Sequence, residues 1–297
     1  RRPAAPAGRR KFPEKSTASV NFSCKGRHLM VEFQHKDFYT YEDFLEIMRL
    51  LRSPGGCPWD REQTHSSIRR NFLEETYEVL DAIDRDDPDG MCEELGDVLM
   101  QVAFHAQIET ERGRFTMADV INGVAQKLVY RHPHVFGDVQ ADTSQQVLAN
   151  WEVLKRREKG QRSTADAVEA VPHTLPALWR AEKVQSKTAK AGFDWESALQ
   201  ALDKLEEEVR ELRAALEAGQ AADVPHGIRE EVGDALFMAA KIAQMSGVDP
   251  EDALHRACDK FDRRFRAVEE AADKPLSECS EAELLALWGR AKAQDPP

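Results

Sequence analysis

The chain has 297 residues, of which 41% are hydrophobic and 32% are charged, so it can form one large folded domain or two of ordinary size. Its formal net charge of −12 argues against direct nucleic-acid binding, and no apolar run approaches the roughly 18 residues that a membrane-spanning helix needs. The five cysteines are scattered without metal-ligand spacing, which favours reduced thiols in a cytoplasmic protein.

The N-terminal residues 1–37 differ from the rest of the chain. Residues 1–29 are basic and rich in proline and serine, and they lack both helical periodicity and the apolar core of a secretion signal. We expect a disordered basic extension, or translated sequence upstream of a start at Met30, that carries no chemistry.

From Tyr41 onward, the pattern predicts an all-α fold. Apolar residues recur at steps of three and four, for example at Leu202, Leu205, Val209, Leu212 and Leu216. Helix ends are predicted where glycines follow periodic runs, at Gly113, Gly219 and Gly247. Helix starts are predicted at Asp249-Pro250 and at the capping box formed by Ser280 and Glu283. No alternating strand pattern of useful length is present.

An internal repeat predicts two tandem helical-bundle domains. Four carboxylates recur 133 to 137 residues later: Glu75, Glu78, Glu94 and Asp97 return as Glu208, Glu211, Glu231 and Asp234. Two further pairs recur in the same order: Lys127 and Arg131 return as Lys260 and Arg264, and Trp151 and Lys155 return as Trp288 and Lys292. We therefore place the first domain at 38–159, a polar linker at 160–174 and the second domain at 175–297.

The repeated carboxylates predict a metal site in each copy. Residues three apart on a helix lie on one face, so two packed helices would direct four carboxylates into one cavity. Asp97 and Asp234 lie in largely apolar helices, where we expect partial burial and therefore a need for cations. Oxygen ligands favour Mg²⁺, with Mn²⁺ as a substitute. A solvated acidic face is the alternative, but it suits neighbouring residues such as Asp84 better.

The basic and aromatic pairs predict where a phosphorylated ligand would bind. Lys260 and Arg264, one turn apart, form a cationic patch for a polyphosphate, while Trp288 and Lys292 could stack on and pair with a nucleobase. Each pair alone is more often a core tryptophan or a solvated face. Their recurrence behind both carboxylate sets favours the functional interpretation.

The segments that carry these residues resemble the MazG family of nucleoside triphosphate pyrophosphohydrolases. The resemblance spans about residues 40 to 292 and is carried by CPWD, LEETYEVLDAID, EELGDVLMQ and RHPHVF in the first copy, and by GFDW, LEEEVREL, EEVGDALF and KFDRRF in the second. It implies Mg²⁺-dependent cleavage of an NTP or dNTP to the monophosphate and pyrophosphate, serving nucleotide-pool housecleaning, by a homodimer.

The resemblance also implies that the second domain carries the activity. Glu208, Glu211, Glu231 and Asp234 would hold Mg²⁺, and Glu207 is a candidate to orient the water that attacks the α-phosphorus. The family's base- and phosphate-contacting positions match Lys260, Arg264, Trp288 and Lys292. In the first copy, RHPHVFG should end the Lys-x3-Arg helix directly after Arg131, so we expect that copy to be mainly structural or regulatory.

Three alternatives remain open from the sequence. The same catalysis could act on deoxy, damaged or alarmone nucleotides. A helical nucleotide-sensing or partner-binding module could use Mg²⁺ without turnover, although a full acidic quartet in both copies argues against it. A dimeric structural bundle without a ligand would not explain carboxylates on the apolar helices.

Overall fold

A computed structural model describes residues 31 and 33–295, except 159, 220–223 and 225. Within these residues every regular element is a helix and no strand occurs, so the predicted all-α class is confirmed. None of the described helices is both long and apolar enough to cross a membrane. Most of the predicted extension at 1–37 lies outside the described residues. Its last part, 33–37, is non-helical, and Lys36 forms an ion pair with Asp43 in the first helix.

The contacts divide the chain into two compact units, one ending at Val147 and the other beginning at Leu148. The helices of the first unit are α1 (Tyr41–Arg52), α2 (Pro58–Glu62), α3 (Arg69–Asp84), α4 (Pro88–Glu111), α5 (Met117–Arg131) and α6 (Pro133–Phe136). Helix α7 (Ser144–Glu158) begins at the boundary. The second unit continues with α8 (Thr164–Glu169), α9 (Ala177–Ala189), α10 (Ala198–Glu217), α11 (Ile228–Met245), α12 (Pro250–Glu270), a 3₁₀ turn at Leu276–Glu278, and α13 (Glu281–Gln294).

The division differs from the boundaries expected at 159 and 174. Most of α7 belongs to the second unit, and the stretch 160–174 contains α8, which packs against α9. Ala167 and Val171 in this stretch are buried. Ser163 and Asp166 form a capping box that starts α8, and a helix this short shows no periodicity in the sequence. The polar stretch is therefore a folded part of the second unit.

The predicted helix ends are found where the sequence placed them. Gly113 and Gly247 adopt positive φ angles of 67° and 69°, which a glycine tolerates without strain. Helix α5 ends at Arg131 because Pro133 cannot continue it, whereas α12 runs six residues beyond Arg264. The helices that carry the Lys-x3-Arg pairs thus differ between the copies as predicted.

Each unit has a small hydrophobic core. In the first unit, α1 and α4 meet around Met48, Phe104 and Ile108. In the second unit, α12 and α13 meet around Val268 and Leu287. The carboxylate helices themselves, α3 with α4 and α10 with α11, pack extensively as consecutive pairs.

Candidate active site

In the second unit, α10 and α11 bring three of the four predicted carboxylates together. Carboxylate oxygens of Glu208, Glu211 and Glu231 lie within 4.8 Å of one another. Glu208 and Glu231 are almost fully buried, with 6% and 3% of their surface exposed, while Glu211 faces solvent. Two acids of this group are thus shielded from solvent, and the third is open to it.

The electrostatics of this cluster favour a bound cation. Burial raises the pKa of Glu231, and the nearby charges of Glu211 and Glu208 raise it further. Ionised carboxylates at such distances repel one another, and a divalent cation removes both the repulsion and the cost of burial. Three carboxylates leave coordination positions for water and phosphate oxygens, an arrangement that suits Mg²⁺.

Asp234, the fourth predicted ligand, lies beside this trio but outside the group of mutually close oxygens. Its pKa is raised by desolvation of its carboxyl and by the charge of Glu208, which places it near the cluster. The residue as a whole is nevertheless exposed. The partial desolvation expected for Asp234 is present, but Glu231, one turn earlier on α11, is the more deeply buried acid.

The first unit contains the corresponding cluster on α3 and α4. Oxygens of Glu75, Glu78 and Glu94 also lie within 4.8 Å of one another. Burial raises the pKa of Glu75, as does the charge of Asp97, and burial together with a hydrogen bond to Glu78 raises that of Glu94. Glu75 and Glu94 are only partly buried, and Glu78 is exposed. This copy gathers the same ligands in a more solvated setting.

Lys204 is a residue of the site that the sequence analysis did not identify. Its Nζ lies 2.8 Å from Glu208 Oε1 and 2.8 Å from Glu207 Oε1, and both contacts raise the pKa of the lysine. The spacing of three and four residues on α10 was the available signal. The first copy has Asn71 at the matching position, so this cation belongs to the second copy alone.

Glu207, the candidate to orient water, is exposed on α10 beside the cluster. The hydrogen bond from Lys204 lowers the pKa of Glu207. The ionised carboxylate is thereby favoured, and an ionised carboxylate is the stronger acceptor of a hydrogen bond from water.

The predicted phosphate- and base-binding residues lie on α12 and α13, which pack together. Lys260 is exposed on α12. The Arg264 guanidinium donates to the Asp295 side chain at 3.1 Å and to its backbone oxygen at 2.8 Å. Trp288 is half-buried against the core of the unit, and its ring lies 5.3 Å from that of Phe261.

Lys292 extends over the Trp288 ring at 6.0 Å, the geometry of a weak cation–π contact. The same contact joins Lys155 and Trp151 on α7, at 4.5 Å. The structure thus groups Lys260, Arg264, Trp288 and Lys292 along one helix pair, while the carboxylates lie on another pair of the same unit.

Comparison with known proteins shows which family the chain resembles. The family model described as the MazG nucleotide pyrophosphohydrolase domain matches twice, at residues 63–136 and 196–268. The chain is 44% identical over 255 residues to the nucleoside triphosphate pyrophosphohydrolase of Escherichia coli K12, covering 84% of this chain and 96% of that protein. It is 43% identical over 258 residues to the nucleoside triphosphate pyrophosphohydrolase/pyrophosphatase MazG of Thermotoga maritima, covering 86% and 96%.

A Bacillus subtilis protein called uncharacterized protein YabN is 44% identical over 258 residues, covering 86% of this chain and 52% of that protein. The two family matches contain both Glu-x-x-Glu pairs and both Glu-x-x-Asp pairs. The chain therefore belongs to the MazG nucleotide pyrophosphohydrolase family.

Proposed function

We propose that this chain is an enzyme that hydrolyses nucleoside triphosphates. It cleaves NTP or dNTP between the α- and β-phosphorus to give the nucleoside monophosphate and pyrophosphate, and it does so with Mg²⁺. The observation that carries the proposal is the trio of Glu208, Glu211 and Glu231, two of them buried, with oxygens within 4.8 Å of one another. Curated relatives that match nearly their whole length are named nucleoside triphosphate pyrophosphohydrolases. The four unpaired cysteines in the described part of the chain are consistent with a cytoplasmic enzyme. Its proposed role there is to remove unwanted nucleotides from the nucleotide pool.

The donor set fits Mg²⁺. All the gathered ligands are carboxylate oxygens, which a hard divalent cation prefers, and burial has already raised the pKa of Glu231. Glu208, Glu211, Glu231 and Asp234 would hold the ion, and Mn²⁺ would substitute for it. When bound, the ion neutralises negative charge that develops on the phosphate oxygens.

The protein's own residues then have separate tasks. Glu207 accepts a hydrogen bond from the attacking water and so orients it. Lys260 and Arg264 bind the leaving phosphates, and Trp288 with Lys292 contacts the base. Asp295 now holds the Arg264 guanidinium through carboxylate and carbonyl oxygens. Phosphate oxygens would replace these acceptors when substrate binds.

The second copy is proposed as the catalytic one. Its carboxylates are more deeply buried than those of the first copy, and interactions with a cation are stronger away from water. Helix α12 also continues beyond Arg264, while α5 ends at Arg131. The first copy is proposed to bind metal with a mainly structural or regulatory role.

We further propose that the protein is a homodimer. Apolar side chains remain exposed on both carboxylate helices of the second unit, including Leu202 (40%) and Val209 (46%) on α10 and Leu236 (52%) and Phe237 (39%) on α11. The first unit exposes similar residues, such as Leu95 on α4. A helix buries such a stripe against another layer, and a second copy of the chain supplies that layer.

The reaction is tested by incubating the protein with each NTP and dNTP, with and without Mg²⁺, and assaying pyrophosphate and phosphate separately. In H₂¹⁸O, the proposal places the label in the nucleoside monophosphate, because water attacks the α-phosphorus. Label in pyrophosphate would mean attack at the β-phosphorus. Release of orthophosphate would mean that a different bond breaks, and no release from any nucleotide would favour a binding module.

The choice of copy is tested with paired variants at matching positions. Glu208→Ala with Glu211→Ala should abolish turnover, and Glu75→Ala with Glu78→Ala should leave most of it. The control Glu206→Gln changes an exposed acid of α10 outside the cluster and should not affect the rate. The opposite pattern, with turnover lost only in the first-copy variant, would reverse the assignment.

A further inference from the structure

A cavity of about 400 Å³ lies between α7, α8 and α9, and none of the clustered carboxylates of the second unit lines it. Four lysines and two glutamates line it: Lys155, Lys183, Lys187, Lys190, Glu152 and Glu182. Its volume falls within the range of about 300–1,000 Å³ that is typical of small-molecule sites. In a chain with a net charge of −12, this cavity has more positive than negative side chains. Such a local excess of positive charge favours an anionic ligand.

Three of the lysines project from one face of α9. Lys183, Lys187 and Lys190 are spaced four and three residues apart, the interval that aligns side chains on a helix. The opposite face of α9 packs against α11, where buried Gln185 donates a hydrogen bond to the backbone oxygen of Phe237 at 2.8 Å. The lysines are therefore not needed for the contact between α9 and α11.

Glu152 on α7 occupies the cationic face of the cavity. Its carboxylate accepts a hydrogen bond from Lys187 at 3.1 Å and lies 3.5 Å from Lys190, with 21% of its side chain exposed. Burial alone would favour protonation, but the two lysines outweigh it and lower the pKa of Glu152. The Glu152 carboxylate thus pairs with the ammonium groups of Lys187 and Lys190, and phosphate oxygens of a ligand could take its place.

We propose that this cavity binds the diphosphate group of a small phosphorylated molecule without a divalent cation, with Lys183, Lys187 and Lys190 donating to phosphate oxygens in place of Glu152. Buried Ala167 and Val171 form an apolar wall on the α8 side of the cavity, while Lys183 and Lys190 remain open to solvent, where an anion can reach them. The diphosphate comes either from free pyrophosphate or from a nucleotide.

A second cavity, of about 590 Å³, shares Glu152 and Lys190 with the first and is lined by Trp151 and Arg156. It leaves room for the remainder of a nucleotide. The proposal does not depend on turnover at the carboxylate cluster.

The test measures pyrophosphate binding to the full chain by isothermal titration calorimetry, in buffer freed of metals on a chelating resin. Saturable binding with one site per chain is expected. Lys187→Gln combined with Lys190→Gln should weaken it roughly tenfold or more, because charge-assisted hydrogen bonds are the strong class. Glu152→Gln should strengthen binding, since it removes the internal competitor. If the ion pairs of Glu152 serve only to hold α7 against α9, Glu152→Gln should instead weaken pyrophosphate binding.

Lys260→Gln is the matched control, because it removes a lysine of the proposed catalytic site and should leave metal-free binding unchanged. Titrations with orthophosphate and with a non-hydrolysable NTP identify the source of the diphosphate. Tighter binding of the NTP indicates a nucleotide, and tighter binding of pyrophosphate indicates the free anion. The proposal is overturned if pyrophosphate does not bind, if orthophosphate binds equally well, or if Lys260→Gln weakens binding as much as the double lysine variant does.

Discussion

The buried carboxylates of the second copy should make its stability depend on Mg²⁺. The perturbation is Glu231→Gln, which keeps the shape of the side chain and removes its charge. A carboxyl whose pKa is raised by folding stabilises the fold at low pH and loses that contribution as pH rises through the raised value. Near pH 7.5 without metal, the variant should therefore unfold at a temperature equal to or higher than that of the parent chain.

The size of the metal effect follows from linkage. An ion present at about 100 times its dissociation constant, and bound only by the folded state, stabilises it by about 2.7 kcal/mol. The second unit runs from residue 148 to 297, and in domains of about 150 residues or more each kcal/mol shifts the midpoint by roughly 2–4 °C. Saturating Mg²⁺ should thus raise the melting temperature of this unit by about 5–10 °C.

The assay is differential scanning calorimetry of the parent chain and its variants over rising MgCl₂. Glu231→Gln should lose the shift in the second unit and keep the smaller shift of the first. Glu94→Gln, the matching change in the first copy, should do the reverse, and the double variant should show no shift. Glu206→Gln is the control. A double variant that keeps the full Mg²⁺ shift would show that these carboxylates do not bind the metal.

Three further predictions concern other parts of the molecule. Hydrogen bonds from His65 and Arg114 lower the pKa of Glu109 from 4.5 to about 2. The ionised Glu109 therefore stabilises the fold above about pH 4.5, and this contribution is lost as pH falls towards 2. In urea titrations across this range, Glu109→Gln should remove this contribution to the pH dependence of the free energy of unfolding. Leu236→Glu, at an exposed position on α11, should dissociate the proposed dimer in sedimentation velocity while each chain keeps its helical circular dichroism. Ser280→Ala removes the capping box of α13 and should lower the free energy of unfolding by about 1 kcal/mol in chemical denaturation.

The helices and their ends could be predicted from local signals. Proline, capping residues and glycines act within a few positions of the chain, so the end of α5 at Arg131 and the N-cap of α13 at Ser280 can both be predicted from the sequence. The grouping of the carboxylates was also predictable, because a repeat separates four residues from the other acids around them. In both copies the predicted helix pair brings a carboxylate trio together.

The burial of individual acids could not be predicted in the same way. Periodicity shows that α11 has an apolar stripe, but it does not show which part of that stripe meets α10 within the chain. Leu236 and Phe237 remain exposed, and Asp234 is exposed with them, while Glu231 is directed inward. His65 contacts His105 and Glu109, which lie one turn apart on α4 but 40 and 44 positions further along the chain, and no spacing rule relates His65 to them.

The side chain of Lys204 gives a physical reason why the carboxylates are more deeply buried in the second copy than in the first. A buried carboxylate is unfavourable unless it is neutralised, and the second copy supplies Lys204 at 2.8 Å from Glu208. With this lysine in place, Glu208 can lie at 6% exposure even before a metal ion binds. The first copy has Asn71 at that position, and none of its three gathered carboxylates is fully buried. Carboxylates that are already buried without metal require less rearrangement when Mg²⁺ and phosphate bind. Electrostatic stabilisation of the bound charges is also stronger where water is excluded. The lysine on α10 thus supports, by a physical argument, the proposal that turnover takes place in the second copy.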